Sequence, residues 1–210
     1  MATQSGLKVV LFLGTCREGR VGIRVANFMI NQLKARGHDV HFMDAQELNL
    51  PILTKPLHFY TDQTQAPAIL QEAKTKIVAA DCYVVVSGEY NHSIPPGLSN
   101  LFDYFPASIF SYKPSGIVCY SPGPYGGMRA AIQLRAFLGE MGCISVSNIF
   151  GIPNVGNAIS EEGKPLNEYM ERGAEKLLAQ LDWMAEAMKA HREKEAHREK
   201  EAHREKEVTP

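Results

Sequence analysis

Residues 81–104, DCYVVVSGEYNHSIPPGLSNLFDY, constrain the fold of this chain more than any other stretch. They open with an apolar run at 83–86, too short for a free-standing helix and rich in β-branched residues. Such a run reads as a strand buried on both faces. Small and polar residues follow, Ser87-Gly88-Glu89-Tyr90-Asn91, and then Pro95 and Pro96, which set the first turn of a helix. A strand passing through such a loop into a helix places the loop at the carboxyl edge of a parallel sheet, where open α/β sheets bind ligands. A plain structural joint has the same local pattern, so the remaining segments must decide.

Those segments repeat the pattern. Residues 7–13 (LKVVLFL) form a second buried-strand run, followed by loop 14–20 and a helix over 21–35. That helix has Val21, Val25, Phe28, Met29 and Leu33 at helical spacing and is stopped by Gly37. A short strand at 40–43 runs into Asp44. Residues 47–66 read as a long surface loop near the site, and 68–80 as a helix. Strand 115–120, glycine-rich loop 121–127, helix 128–141 and strand 143–149 complete the series. Five strands alternating with helices imply an α/β fold: a doubly wound five-stranded parallel sheet, helices on both faces, and right-handed crossovers.

Bulk properties narrow the function. A length of 210 residues with 45% hydrophobic content suits one sizeable core. A net charge of −1 makes no electrostatic case for nucleic acid or an anionic membrane. No apolar run approaches the roughly 20 residues that span a bilayer, and the amino terminus does not read as a secretory signal. Cys16, Cys82, Cys119 and Cys143 form no CxxC pair, which points to a reduced, cytoplasmic protein.

The last helix is expected from about residue 165. Met170, Ala174, Leu177, Leu181, Met184 and Met188 form a narrow seam of heptad type. Its first turns read as packing on the chain's own sheet; beyond Ala187 the chain offers nothing obvious to pack on. Residues 190–207 are three copies of AHREKE, a charged helical extension, so the chain divides into 1–189 and 190–210. His191, His197 and His203 lie about 120° apart around a helix and cannot share a face as metal ligands, so no metal site is expected.

Three loops should meet at one edge of the sheet. Loop 14–20 brings a glycine, a threonine and two arginines to a helix N-terminus, where unpaired amides and the helix dipole favour an anion. It is a near-miss of the P-loop, because Arg20-Val21 stands where Lys and Ser/Thr are required. It is not a dinucleotide fingerprint either, with Cys16 in place of the second glycine. Nor does it match a phosphatase loop, since the arginine that would close one is Gly22. Cys16 reads as a small side chain beside the loop, with a thiol that a helix N-terminus can acidify. Loops 87–94 and 121–127 suit a flat ring. Gly88, Gly123, Gly126 and Gly127 let backbone approach closely, Tyr90 and Tyr125 supply aromatic faces, and Asn91 supplies hydrogen bonds. Phosphate at one loop and a planar ring between two others describe a mononucleotide, most simply non-covalent FMN.

The sequence here resembles the NADPH-dependent FMN reductases, flavodoxin-like proteins that include quinone, azo-dye and chromate reductases. Gly14-Thr15-Cys16-Arg17-x-x-Arg20 resembles their phosphate loop, Gly88-Glu89-Tyr90-Asn91-x-Ser93-x-Pro95 their P-E-Y-N-x-S-x-P, Leu98-x-Asn100-x-x-Asp103 the following helix, and Tyr125-Gly126-Gly127 their flavin loop. The likeness covers about residues 7–185. It departs at Gly88 for proline, at Ser99 for lysine, and at the longer Ser121-Pro-Gly-Pro approach. It implies FMN held by Thr15, Arg17, Arg20, Gly22, Gly88, Glu89, Tyr90, Asn91, Ser121, Gly123, Tyr125, Gly126 and Gly127. NADPH or NADH would be a transient donor and a quinone-like small molecule the acceptor, exchanged by ping-pong with no side-chain nucleophile. Glu89 would be either a proton donor or, equally, a carboxylate satisfied by loop amides. The resemblance also implies a homodimer or dimer of dimers, which the heptad-type seam would suit. A flavodoxin-type electron-transfer module and a flavin-bearing sensor or scaffold are the alternatives.

Overall fold

The computed structural model describes residues 6–208, with side chains as far as residue 201. The amino-terminal residues read for a signal and the side chain of His203 lie outside the described residues. Five strands form one parallel sheet: β1 (Lys8–Leu13), β2 (Asp39–Asp44), β3 (Cys82–Gly88), β4 (Pro114–Tyr120) and β5 (Ile144–Ile152), in the order β2-β1-β3-β4-β5. This is the flavodoxin-like doubly wound order, whose direction of winding reverses between β1 and β3. The stretch 81–104 supplies the central strand, as expected, and β3 and β4 are buried at every residue.

Strand residues alternate between two cores. Val9, Leu11, Leu13, Val84 and Val86 meet α1 (Gly22–Ala35) and α7 (Glu168–Val208) on one face. Val10, Phe12, Tyr83 and Val85 meet α3 (Ala68–Ala79), α4 (Pro96–Asp103) and α5 (Met128–Glu140) on the other. Two one-turn helices, α2 (Ala45–Leu48) and α6 (Val155–Ala158), follow the edge strands β2 and β5.

Three expectations change. Strand β5 extends three residues past 149 because Phe150, Gly151 and Ile152 go on pairing with Val118, Cys119 and Tyr120. Residues 47–66 run over the surface as expected, but they are braced rather than loose. They begin within α2, make 3₁₀ turns at Leu57–Phe59 and Gln63–Gln65, and are strapped to α4. Asn100 accepts from the Leu53 amide at 2.9 Å and donates to the Pro51 carbonyl at 2.9 Å, and Tyr104 Oη donates to the same carbonyl. Helix α7 starts at Glu168 rather than near 165, where Pro165 is bridged to Ile159. Asn167 caps it, accepting from the Met170 amide.

Most of the heptad-type seam is taken up within the chain. Met170, Ala174, Leu177 and Leu181 are fully buried against the sheet, and burial persists to Ala185; Met184 is partly buried against the same core, and Met188 lies beyond it, half-buried. Helix α7 runs unbroken through position 190, and it still touches the body there. Lys189 Nζ lies 3.0 Å from Asp81 Oδ2, and Arg192 Nη1 donates to the Tyr112 carbonyl at 2.8 Å. From residue 193 to 201 every side chain is exposed.

Candidate functional site

The loops after β1, β3 and β4 come together at the carboxyl edge, over the β1/β3 reversal. In loop one, Thr15 is buried and held at both ends. Tyr120 Oη donates to its Oγ1 at 3.1 Å, and Arg20 Nη1 donates to its carbonyl at 2.5 Å. Gly22 lies directly beneath. A Cβ there would stand 2.2 Å from Tyr120 Oη and 2.6 Å from Thr15 Oγ1, so any larger residue would break the pair.

The two arginines of this loop do different things. Arg17 is exposed, its guanidinium 3.6 Å above the centre of the Tyr90 ring, and no carboxylate pairs with it among the described residues. Arg20 is turned inward. Its fork grips both oxygens of Asp44, whose side chain is fully buried at the end of β2. Burial works to lower the Arg20 pKa, but the hydrogen bond and charge of Asp44 outweigh it and raise it. The expectation of two phosphate-facing arginines therefore divides: Arg17 is free to meet a ligand, whereas Arg20 is spent on the protein. Cys16 also differs from expectation. Burial pushes its thiol pKa up, with Asp44 adding to that and only Arg20 opposing, so the loop does not make a reactive thiolate.

In loop two, Asn91 and His92 are both left-handed, with φ of 50° and 65°. Tyr90 and Ser93 exchange backbone hydrogen bonds across them, which is the two-residue turn that positive φ permits. Gln133 of α5 clamps the turn, donating to the His92 carbonyl and accepting from Ser93 Oγ. Glu89 reaches α5 as well. It accepts from the Arg129 amide at 3.1 Å, the Ala130 amide at 3.4 Å and Arg129 Nε at 2.7 Å. Burial would raise the Glu89 pKa, but the Arg129 side chain and these amides hold it below the usual carboxylate range. In this geometry the Glu89 carboxylate is satisfied by amides at the start of α5 and by the Arg129 side chain.

Loop three splits likewise. Gly126 and Gly127 have φ of 60° and 75° and turn inward; a Cβ on either would stand about 3 Å from the backbone of Ile152 or Tyr120. Their glycines serve the chain's own packing. Gly123 faces open space, with nothing within 4 Å of a Cβ built on it, and Ser121 Oγ donates to its carbonyl. Tyr125 is exposed, with the Arg129 guanidinium 4.9 Å from its ring centre.

A cleft of about 220 Å³ opens between these loops. Thr15, Arg17, Arg20, Gly88, Glu89 and Tyr90 line it, with Glu18, Gly19 and Val21 of the same loop and with Tyr120, Pro122 and Val155; the exposed Glu18 is a carboxylate at this rim. Gly22 and Ser121 lie beside or beneath it; Asn91, Gly123, Tyr125, Gly126 and Gly127 are outside it. Tyr120, Pro122 and Val155 were not singled out from sequence. The legible signal for Tyr120 was a tyrosine closing an apolar strand immediately before a glycine-rich loop; Val155 comes from after β5 and gave none. Asp44 was noted only as the residue after a strand.

The chemistry of the lining fits a phosphate-bearing, partly aromatic ligand. Tyr90 Oη is buried and makes no well-formed hydrogen bond among the described residues, and burial raises its pKa so that it stays a phenol donor. Tyr120 is pushed up to about 12 by burial, so it keeps its proton and donates it to Thr15 Oγ1. The Thr15 hydroxyl proton is thereby left to donate into the cleft. Among the described residues no cluster of three metal-ligating side chains occurs, and no helix is long and apolar enough to cross a membrane.

Comparison with known proteins identifies the family and the fold. The profile of the NADPH-dependent FMN reductase family matches residues 7–157. An NAD(P)H:quinone oxidoreductase of Solanum tuberosum is 30% identical over 106 residues, which are 50% of this chain and 52% of the relative. The chain thus spans about half the length of that curated relative. Among solved structures, the flavoenzyme NAD(P)H:(acceptor) oxidoreductase FerB of Paracoccus denitrificans superposes with a TM-score of 0.68 at 21% identity, over 88% of this chain and 98% of that one. RosB, solved with bound 8-demethyl-8-formylriboflavin-5'-phosphate, superposes with a TM-score of 0.67 at 12% identity, over 93% and 88%. At these identities the two structures establish the fold.

Proposed function

We propose that this chain, which belongs to the NADPH-dependent FMN reductase family, binds FMN without covalent attachment and works as an NAD(P)H-dependent oxidoreductase on a quinone-like small acceptor. The observation that carries the reading is the cleft at the β1/β3 reversal, with an unpaired Arg17 at its mouth and a free hydroxyl proton on Thr15 at its floor. FMN, when bound, would supply two-electron hydride chemistry between NADPH or NADH and the acceptor.

The chain's own residues bind and orient. Arg17 offers a planar fork suited to phosphate oxygens, and its stacking on Tyr90 limits the directions that fork can take. Thr15 Oγ1 donates a proton that Tyr120 keeps aimed by occupying its lone pair. Tyr90 Oη, buried and without a well-formed hydrogen bond, is a donor for the ligand's polar stem. Gly123 leaves room for a ring beside loop three, and Gln133 and Glu89 tie loop two to α5, so the wall opposite is fixed. No side chain is needed as nucleophile or acid. The domain is read as acting alone through residues 1–189, in a homodimer or dimer of dimers, and in the cytoplasm, as the four free cysteines favour.

The test is reconstitution. The purified protein incubated with FMN should retain a visible flavin spectrum, and heat should release free FMN. NADPH should bleach the bound flavin, and a quinone added afterwards should restore it, with parallel double-reciprocal lines at steady state. A folded protein that retains no flavin refutes the cofactor; intersecting lines refute the alternating order.

A further inference from the structure

We infer that Arg20 and Asp44 are positioning residues for the phosphate loop: Asp44 occupies the Arg20 guanidinium at the cleft wall, and Arg20 in turn fixes the Thr15 carbonyl, so that Thr15 and Arg17 present a preformed anion cradle. The inference rests on the FMN reading above and deepens it.

Four observations lead here. Asp44 is the last residue of β2, the strand beside β1, and its side chain has no exposure. It meets Arg20 through both oxygens, an arrangement that uses the whole guanidinium fork. The same Arg20 Nη1 donates to the Thr15 carbonyl at 2.5 Å, so one side chain ties the loop after β1 to the end of β2. Asp44 is itself fixed, because its Oδ1 accepts from the Gln46 amide at 2.9 Å and caps α2. Thr15 is therefore immobilised by its carbonyl from one side and by its hydroxyl, through Tyr120, from the other.

The physical logic is a trade. A free arginine would add charge to the anion site but would have to be ordered on binding. An arginine already spent on a buried carboxylate adds little net charge, because the pair is neutral, and instead removes freedom from the loop before the ligand arrives. The loop as a whole then carries one available cation, Arg17, rather than two. Sequence spacing cannot reveal this, since Asp44 lies 24 residues from Arg20.

The two possible roles of Arg20 predict opposite responses to one substitution. Asp44→Asn keeps the shape and the helix cap, because Asn caps as well as Asp, but removes the charge that holds Arg20. If Arg20 were a phosphate ligand restrained by Asp44, releasing it would tighten FMN. If Arg20 is a positioning residue, releasing it loosens Thr15 and weakens FMN, on the order of 10-fold to 100-fold by analogy with other ligands held by a supporting partner. Riboflavin, which lacks the phosphate, separates this from general damage.

Affinities for FMN and riboflavin would be measured by flavin fluorescence quenching on wild type, Asp44→Asn, Arg20→Lys and the double variant Arg20→Met/Asp44→Leu. The double variant leaves no unpaired buried charge and so folds even where a single change does not. We expect wild type to prefer FMN over riboflavin by ~10-fold or more. All three variants should lose most of that preference while holding riboflavin nearly unchanged. Tighter FMN in Asp44→Asn, or an equal loss for both flavins, overturns the positioning role while leaving the FMN reading intact. Wild type that binds riboflavin as well as FMN overturns the phosphate cradle itself, and the inference with it.

Discussion

Two aspartates stand at opposite edges of the sheet with nearly the same partners. Asp44 ends β2 at the carboxyl edge; Asp81 immediately precedes β3 at the amino edge. Each accepts a backbone amide at 2.9 Å, from Gln46 and from Lys8, and each meets an arginine. Their consequences differ. The arginine on Asp44 belongs to an open loop, so the pair shapes a cleft. The cations on Asp81, Lys189 and Arg192, come from the end of α7, so the pair fastens a helix to the body. Identical local chemistry serves a ligand at one edge and the fold at the other, because only at the carboxyl edge do neighbouring loops part around the reversal of winding.

The sharpest test of that division is Arg17→Ala. It removes the cleft's free cation while touching nothing at the amino edge. A charge-assisted bond to phosphate is worth about 1.5–3 kcal/mol, so FMN affinity should fall roughly 10- to 100-fold. Thermal stability without flavin should hardly move, since an exposed arginine over a tyrosine contributes only about 0.5–1 kcal/mol. Unchanged FMN binding in a titration would move the phosphate site elsewhere.

Asp81→Asn is the counterpart at the other edge. It weakens three interactions at once, those with the Lys8 amide, Lys189 and Arg192, of which the two cations are 29% and 26% exposed and can return to water. A loss of about 1–2 kcal/mol in denaturant unfolding is expected, with FMN affinity unchanged. A fall in FMN affinity without a change in stability would show that the two edges are coupled.

The amino edge also carries a pH signature of its own. Lys113 Nζ is buried and donates to the carbonyls of Ile77 and Val78 at the end of α3. Burial, aided by the charge of Arg192, lowers its pKa to about 8 from 10.5. Between those values the unfolded chain binds a proton that the folded chain has released, so this group makes stability rise with pH from about 8 towards 10.5. Comparing wild type with Lys113→Met across that window isolates the term from other titrations. A difference that stays flat with pH would mean that Lys113 keeps its ordinary affinity for protons.

Sequence made some of this legible and not the rest, for physical reasons. Strands β1, β3 and β4 are nearly or wholly buried on both faces, so each is a continuous apolar run and could be read directly. The end of β5 was missed because Gly151 looks like a breaker, whereas its lack of a side chain is what admits Met128, whose sulfur would stand 2.7 Å from a Cβ there. The glycine pattern of loop three was legible as room, but not as room for whom. Gly126 and Gly127 make space for the chain's own backbone, and Gly123 alone faces outward. Arg17 and Arg20 are indistinguishable by spacing; a carboxylate on the neighbouring strand decides between them. The seam of α7 was read correctly as apolar, and only the tertiary structure shows that the sheet, not a partner, takes it up to Ala185.

The smallest expected effect comes from removing the repeats altogether. Truncation after Lys189 keeps the Lys189 contact with Asp81 and deletes Arg192, whose guanidinium donates to the Tyr112 carbonyl and lies 3.6 Å from Asp81 Oδ1. Beyond it, residues 193–201 expose every side chain, and the contacts around them, His191–Glu195 and His197–Glu201, are surface pairs one helical turn apart. Such pairs contribute about 0.3–0.5 kcal/mol each to an isolated helix and nothing to a distant cleft. The stability lost should therefore stay below about 1 kcal/mol, and FMN affinity and NADPH turnover should match the full chain within error. One trace should remain. Arg192 helps hold the Lys113 pKa down, so its loss should move the rise of stability with pH towards higher pH. A truncated protein that folds normally yet loses flavin would place the repeats at the carboxyl edge and dissolve the contrast between the two aspartates.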